Sequence, residues 1–388
     1  MKIGIISYYR AHNHGAMLQA FALQHELRQM GHDPCHIHVR PDDDNFEARF
    51  RSKLKNARDP VQKTALFFMK RRLARRFDHF EEFLQSQIRL SPRYQSVEML
   101  FENPPRMDLY ICGSDQIWNL QCGIGRQFFG AFVPDGLPLI SYAPSFGNSE
   151  IPTVFREDLR ELLGRFAHLS VREECGRLLV EELTGKEVTR VIDPVFLVEN
   201  EVWDRLERGP ALKQPYIAFY SLENSARTSE IVTSLSKSLR MPVVVLGKAG
   251  LFALTCRTVN SIDAGPRDFL GWIRHAALVL TNSFHATAFA VKYNVPFITI
   301  AHTHRNARME DLLSSLGLSD RIIHDAGQVQ RMGALEILSK PPIDVTGKID
   351  RQVDASRVYL RQAVSHVGLK STITNENAPD SLNQNGLM

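Results

Sequence analysis

The sequence is poor in cysteine, has no long apolar run, and contains one stretch with almost no acidic residues. Its five cysteines, Cys35, Cys112, Cys122, Cys175 and Cys256, lie far apart and form no CxxC pair. That spacing argues against a disulfide framework and against a cysteine-rich zinc site, and fits a reducing, cytoplasmic setting. No apolar span reaches membrane length, and Met1 to Tyr9 enters a strand-like run directly instead of a signal-peptide core. From Arg49 to Arg76, eleven Arg or Lys accompany one acid, Asp59, so the segment carries +10. The 388 residues together sum to only +4, which leaves −6 for the rest. The chain is thus basic in one patch only, which gives no reason to expect a nucleic-acid partner. Length and a 44 % apolar content exclude a disordered chain or a staple-dependent miniprotein.

What is present alternates between strand and helix patterns. Residues 1–39 read as strand (KIGIISYY), loop (RAHNHG), helix (AMLQAFALQHELRQM) and strand (CHIHV). Ala16, Ala20, Leu23, Leu27 and Met30 share a helical face, and Gly31 supplies a stop. From about 47 to 90, Leu66, Met69, Leu73, Phe77, Phe80 and Leu84 recur at helical spacing around KRRLARR. This predicts an amphipathic helix with a basic edge, either packed on the first domain or serving as a platform for a phosphate-rich or lipid-linked substrate. Strand-like runs return at DLYIC, LPLISYA, FAHLSV and RVIDPVF, and a boundary falls around 199–214. The second block alternates YIAFY, MPVVVLG, RTV, ALVLTN and VPFITIA with helical FLGWIRHA and SFHATAFAVKY. The expected fold class is α/β, with two Rossmann-like domains at 1–205, carrying the basic insertion 47–90, and at 206–345. A helix over 346–370 is expected to pack back on the first domain, and 371–388 to form a flexible tail.

Three loops after strands offer chemistry. In TNSFHATAFA, a strand ending at Asn282 turns into a helix whose N-terminal donors, Ser283 and His285 converge on a volume suited to phosphate or carboxylate; equally, Asn282 or Ser283 caps the helix and His285 satisfies a core carbonyl. In GSDQIWN, Asp115 and Gln116 can orient sugar hydroxyls or assist proton transfer, or Ser114 or Asp115 can cap a turn; Trp118 either stacks on a sugar or fills the core. In SVREE, Arg172 contacts a phosphate or carboxylate or forms an interdomain salt bridge, with Glu173 orienting it or capping a helix. Asp193 is a structural cap or a site residue. Asn13 and Gly15 sit at a helix N-terminus without the full glycine fingerprint of a dinucleotide site. His12 with His14, and His302 with His304, lack a third ligand at local spacing, so no metal is expected; Asn306 and Arg308 read as substrate contacts or helix-entry residues.

Taken in order, NHGAMLQAFAL, GSDQIWN, SYAPSFG, SVREE, VIDPVFL, TNSFHATAFAVKYNVPF and NARMEDLLSSLGL resemble the polysaccharide pyruvyl transferase family across residues 3 to 322. The resemblance implies a two-domain fold similar to the GT-B glycosyltransferases and transfer of a pyruvyl group from phosphoenolpyruvate, as donor substrate without a cofactor, to sugar hydroxyls. The acceptor it implies is a glycan or lipid-linked glycan precursor, and the basic segment 49–76 becomes a candidate contact with anionic membrane or carrier phosphate. It casts His285 as the acid or a phosphate contact, Arg172, Asn282, Ser283, Asn306 and Arg308 as the donor side, Asp115 as a group that orients or deprotonates the attacking hydroxyl, and Asn13, Gly15, Gln116 and Trp118 as the acceptor side. The chain departs from the family pattern at NHGAM, where Gly-Asp is common, at Ala286, where many relatives carry Gly, and at Cys175, where Ser is often seen. A nucleotide-sugar glycosyltransferase and a noncatalytic glycan-binding protein are the alternatives.

Overall fold

A computed structural model describes residues 1–376 apart from 58, 121–124, 148–149, 224, 302–306, 340 and 342–343. Short runs of aliphatic and β-branched residues, many buried on both faces, form the strands, as a parallel sheet covered on two sides requires. β1 (Lys2–Ile6), β2 (Asp33–Val39), β3 (Leu90–Tyr94), β4 (Leu109–Asp115) and β5 (Leu139–Pro144) pair in parallel in the order β3-β2-β1-β4-β5. A two-stranded parallel sheet, β6 (Leu169–Val171) with β7 (Val188–Arg190), touches β5 through an Ile140–His168 bridge. β8 (Ile217–Tyr220), β9 (Val243–Val245), β10 (Thr258–Asn260), β11 (Leu278–Thr281), β12 (Phe297–Ile300) and β13 (Ile322–Ile323) form the second large sheet, also parallel, in the order β10-β9-β8-β11-β12-β13.

Both sheets reverse strand order next to their first strand, at β1/β4 and at β8/β11. Such switch points open a crevice outside the carboxyl ends of the strands, which is where open α/β sheets bind ligands. α1 (His14–Gln29) follows β1, Asp115 ends β4, and the helix Phe284–Lys292 follows β11. A continuous apolar core runs from Leu23 of α1 through Trp203, Phe269 and Phe289 to Leu360 of the C-terminal helix, so the halves share packed interior.

The structure revises several local expectations. β3 and β13 were not legible: LSPRY contains Pro92, and β13 is two residues long. The basic insertion is two helices, α2 (Phe46–Lys55) and α3 (Pro60–Gln87), because Pro60 has no N–H and can only open a helix. Asp59 caps α3 by accepting from Gln62 N at 2.8 Å. RVIDPVF is mostly not strand; it passes from Arg190 into a 3-10 turn, Pro194–Phe196. The C-terminal helix spans Asp344–Glu376, six residues beyond the expected 370, since Ser371–Glu376 contains no Gly or Pro to stop backbone pairing.

Part of the basic edge of α3 is spent on the second half of the molecule. Arg72 and Arg75 pair with the two oxygens of Asp263 at 2.7 and 2.8 Å, Arg76 donates to Ile262 O at 3.1 Å, and His79 Nδ1 lies 3.0 Å from Asp263 O. These residues clamp the loop after β10, so the segment 49–76 is in part an interdomain fastener and not a uniform membrane or carrier surface. The C-terminal helix fastens the same halves from the other side. Lys348 donates to Leu316 O at 3.1 Å near its start, while Ser356 accepts from Ile192 N and Tyr359 donates to Ser141 O, both at 2.9 Å.

Candidate active site

β6 ends at Val171 and delivers Arg172 into the interior, where only 6 % of it is exposed. Asp193 lies opposite, at the entrance of the 3-10 turn. Its Oδ1 accepts from Val195 N at 3.1 Å, which is the capping role. Its Oδ2 meets Arg172 Nη1 at 2.5 Å and Ser114 Oγ at 3.4 Å, and lies 3.5 Å from His285 Nε2. One carboxylate therefore serves as both turn cap and charge hub. Burial pushes the Asp193 carboxyl up, but the charges of His285 and Arg172 outweigh it and hold the group well below the usual carboxylate range. Burial likewise opposes the Arg172 charge, and Asp193, Glu173 and Asp115 together raise it above its ordinary value. Arg172 still has N–H groups to spend: its Nε and Nη2 make no hydrogen bond, with Asp115 Oδ1 at 3.7 Å, and its guanidinium covers the Phe284 ring at 4.3 Å. The expected interdomain salt bridge is instead an ion pair between β6 and the 3-10 turn, with an interdomain cation–π contact. Glu173 does not cap its helix; it accepts from Ser145 Oγ at 2.5 Å, and burial raises its carboxyl.

His285 sits in the first turn of its helix, 5 % exposed, against the first turn of α1. Gly15 permits that approach: a Cβ there would lie 2.2 Å from His285 Nδ1. Gly15 is therefore a packing position under His285 rather than an acceptor contact. Asn13 caps α1, its Oδ1 accepting from Gly15 N at 3.0 Å and Ala16 N at 3.3 Å. Asn282 is committed to the loop after β8, accepting from Leu222 N at 2.8 Å and donating to Glu223 O at 2.9 Å, so its side chain is spent on shaping that loop. Ser283 is the N-cap by position but makes no side-chain cap bond; its N–H is satisfied by Thr281 Oγ1 at 2.9 Å.

A cavity of about 350 Å³ opens beside this cluster, between β6–β7, the helix Ala307–Leu316 and the C-terminal helix. Arg172, Arg190, Arg308, Lys348 and Arg351 line it against two carboxylates, Asp193 and Asp311. Its lining includes Asp193, and His285 adjoins it through the 3.5 Å approach of Nε2 to Asp193 Oδ2. Arg308 stands 5.9 Å from the Phe284 ring centre, and the Gln116 amide, with its oxygen turned toward it, accepts from Arg308 Nη1 at 2.7 Å. Arg308 thus links the β4 loop to the second half. Asp115, at the end of β4, adopts φ 72°, a left-handed conformation that aims its backbone carbonyl at Ser145 N (2.8 Å). Asn306, His302 and His304 lie outside the described residues.

Trp118 corrects the acceptor expectation. It is fully buried, stacked on Phe129 at 5.5 Å, with its indole N–H donating to Phe128 O at 3.1 Å, so no face is left for a sugar. His12 bonds Glu81 at 2.9 Å, and His14 stacks on Phe269 in the core; among the described residues no group of three His, Cys, Asp or Glu is arranged to hold a metal ion. Sequence reasoning missed Arg190, Lys348 and Arg351. Arg351 reads in sequence as one more solvent-facing position of an amphipathic helix, and nothing local marks it. A second pocket of about 340 Å³, lined by Tyr8, Tyr9, Arg10, Phe128 and Phe132 beyond the end of β1, was missed as well.

Two large parallel sheets, each with a switch point, and a cation-lined cavity between the halves define a GT-B-like α/β fold. The polysaccharide pyruvyl transferase family model matches residues 13–304, and the chain belongs to that family. No curated protein matches the sequence. Solved structures share the fold at low identity. UDP-N-acetylglucosamine 2-epimerase of Neisseria meningitidis, bound to UDP-GlcNAc, aligns with TM-score 0.52 at 10 % identity, covering 94 % of this chain and 100 % of that one. The Rickettsia bellii 2-epimerase gives 0.51 at 14 % identity, covering 95 % and 97 %. UGT89C1 of Arabidopsis thaliana, complexed with UDP-L-rhamnose, gives 0.51 at 11 %, covering 94 % and 98 %.

Proposed function

We propose that the enzyme transfers a pyruvyl group from phosphoenolpyruvate to two hydroxyls of a glycan or lipid-linked glycan precursor, forming a cyclic ketal and releasing phosphate. The observation that carries this reading is the buried Arg172–Asp193–His285 cluster beside a cavity with five cationic side chains. A donor bearing both a carboxylate and a phosphate needs that excess of positive charge and the unspent N–H groups of Arg172. His285, whose Nε2 lies 3.5 Å from Asp193 Oδ2, protonates the donor's methylene carbon. The central carbon then gains oxocarbenium character and is attacked by the first hydroxyl, which loses its proton to Asp115. Phosphate departs against Arg308 and Arg351, and the second hydroxyl closes the ketal as its proton returns to the site. The pocket of Tyr8 and Phe128 presents aromatic walls to the acceptor from the first sheet.

The test is incubation with phosphoenolpyruvate and a panel of glycan acceptors, following phosphate release and product mass. A product heavier by one ketal-linked pyruvate supports the proposal. Consumption of a nucleotide sugar with no use of phosphoenolpyruvate overturns it in favour of glycosyl transfer, and glycan binding with neither donor consumed overturns it in favour of a binding protein. His285→Ala separates two roles: loss of turnover by about 10²–10⁴-fold with unchanged donor affinity identifies the acid, whereas a raised donor KM alone identifies a contact.

A further inference from the structure

The basic insertion retains positive charge after its internal pairs are counted. Arg49 pairs with Asp44, Lys70 with Glu47, and Arg72 and Arg75 with Asp263, while Arg76 holds backbone carbonyls. Lys63 and Arg71 on α3, with Arg51, Lys53 and Lys55 on α2, are exposed and have no carboxylate partner among the described residues. The N-terminal half of α3 also exposes large apolar side chains, Val61 at 78 %, Phe67 at 61 % and Phe68 at 84 %. Val61, Phe68 and Arg71 share a stripe opposite Leu66, Leu73 and Phe80, which face the interior. Two adjacent exposed phenylalanines flanked by unpaired cations have no use in a surface helix facing water alone.

We propose that this outer face of α3 docks on an anionic lipid surface, with Phe67, Phe68 and Val61 entering the headgroup boundary while Lys63 and Arg71 meet lipid phosphates. Charge complementarity selects this occupant. A second copy meeting the same patch about a two-fold axis would set cations against cations. No described helix is long and apolar enough to cross a membrane, so the contact is peripheral. The inference does not rest on the pyruvyl reading, because it is tested by binding alone.

The experiment is co-sedimentation of the full chain with phosphatidylcholine vesicles, with and without phosphatidylglycerol, at low and high salt. Binding is expected only with phosphatidylglycerol and should fall as salt rises. Neutralising Lys63 and Arg71 to Gln should lower partitioning by about fivefold per cation. Phe67→Ser with Phe68→Ser should lower it by about tenfold or more. Lys63, Arg71 and Phe68 are exposed and Phe67 keeps only an edge contact with the Phe50 ring at 6.0 Å, so both double variants should stay folded at the assay temperature, and their turnover on a soluble acceptor should be unchanged. Equal binding to neutral and anionic vesicles, absence of binding, or partitioning unaffected by either double variant overturns the proposal. So does a wild-type dimer that dissociates on the phenylalanine substitutions without any vesicle binding, which would assign the face to self-association.

Discussion

Replacing Gly15 with alanine tests how the two halves build the site. The added Cβ would lie 2.2 Å from His285 Nδ1, 2.3 Å from Cγ and 2.6 Å from Cβ. Ordinary contact between such atoms is about 3.5–4.0 Å, so the ring or the first turn of α1 must move by about 1 Å or more. The His285 ring has little room, since it is buried and Asp193 Oδ2 lies 3.5 Å away on its other side. Overpacking of this kind costs about 1–3 kcal/mol of stability, and a displacement of about 1 Å at a reacting group costs about 10²-fold in rate. Gly164→Ala serves as the control, because nothing stands within 4 Å of its new Cβ. The assay is denaturant unfolding with turnover of phosphoenolpyruvate by both variants. Gly15→Ala should lose both stability and kcat, and Gly164→Ala neither. Wild-type kcat and stability in Gly15→Ala would refute the claim that this glycine exists to admit His285.

Other outcomes follow from the same geometry. Arg172→Met removes the nearest ion-pair partner of buried Asp193 and should cost about 3–5 kcal/mol by denaturant titration, while the double variant with Asp193→Leu should cost less than the two singles together; strict additivity would remove the coupling. Trp118→Ala should destabilise by about 3–5 kcal/mol, and Trp118→Phe should leave the acceptor KM unchanged; a raised acceptor KM in a stable Trp118→Phe enzyme would restore a sugar-stacking role. Burial pushes Glu81 up, but hydrogen bonds from His12 and Arg40 outweigh it and lower the carboxyl to about 2 from the usual 4.5. Its folded pKa lies below the unfolded one, so its contribution is complete above pH 4.5 and is lost as pH falls toward 2. The wild-type protein should lose stability more steeply over that window than Glu81→Gln, and equal slopes would contradict the pairing.

Periodicity and the residues after strands determined much by themselves. The alternation of short apolar runs with helical faces is a local property, so two parallel α/β sheets, α1 and the loops carrying Asp115, Arg172 and His285 are legible in the sequence alone. The ordered motifs pointed to the pyruvyl transferase family for the same reason, since each lies within one strand-to-loop step. Other features depend on partners distant in sequence. Whether Trp118 faced a sugar or the core was undecided until Phe129 and Phe128 closed around it. Gly15 acquired its meaning only when the second half placed His285 against α1, and Asp193 became a hub only because Arg172, Ser114 and His285 arrive from three different segments. Arg351 belongs to a helix whose amphipathic pattern says nothing of a cavity some 180 residues upstream in sequence, at Arg172. The +10 segment shows the same division. Its charge could be counted from sequence, but only the fold separated the arginines that clamp Asp263 from the lysine and arginine left facing outward beside Phe67 and Phe68, because pairing is decided by which surfaces meet.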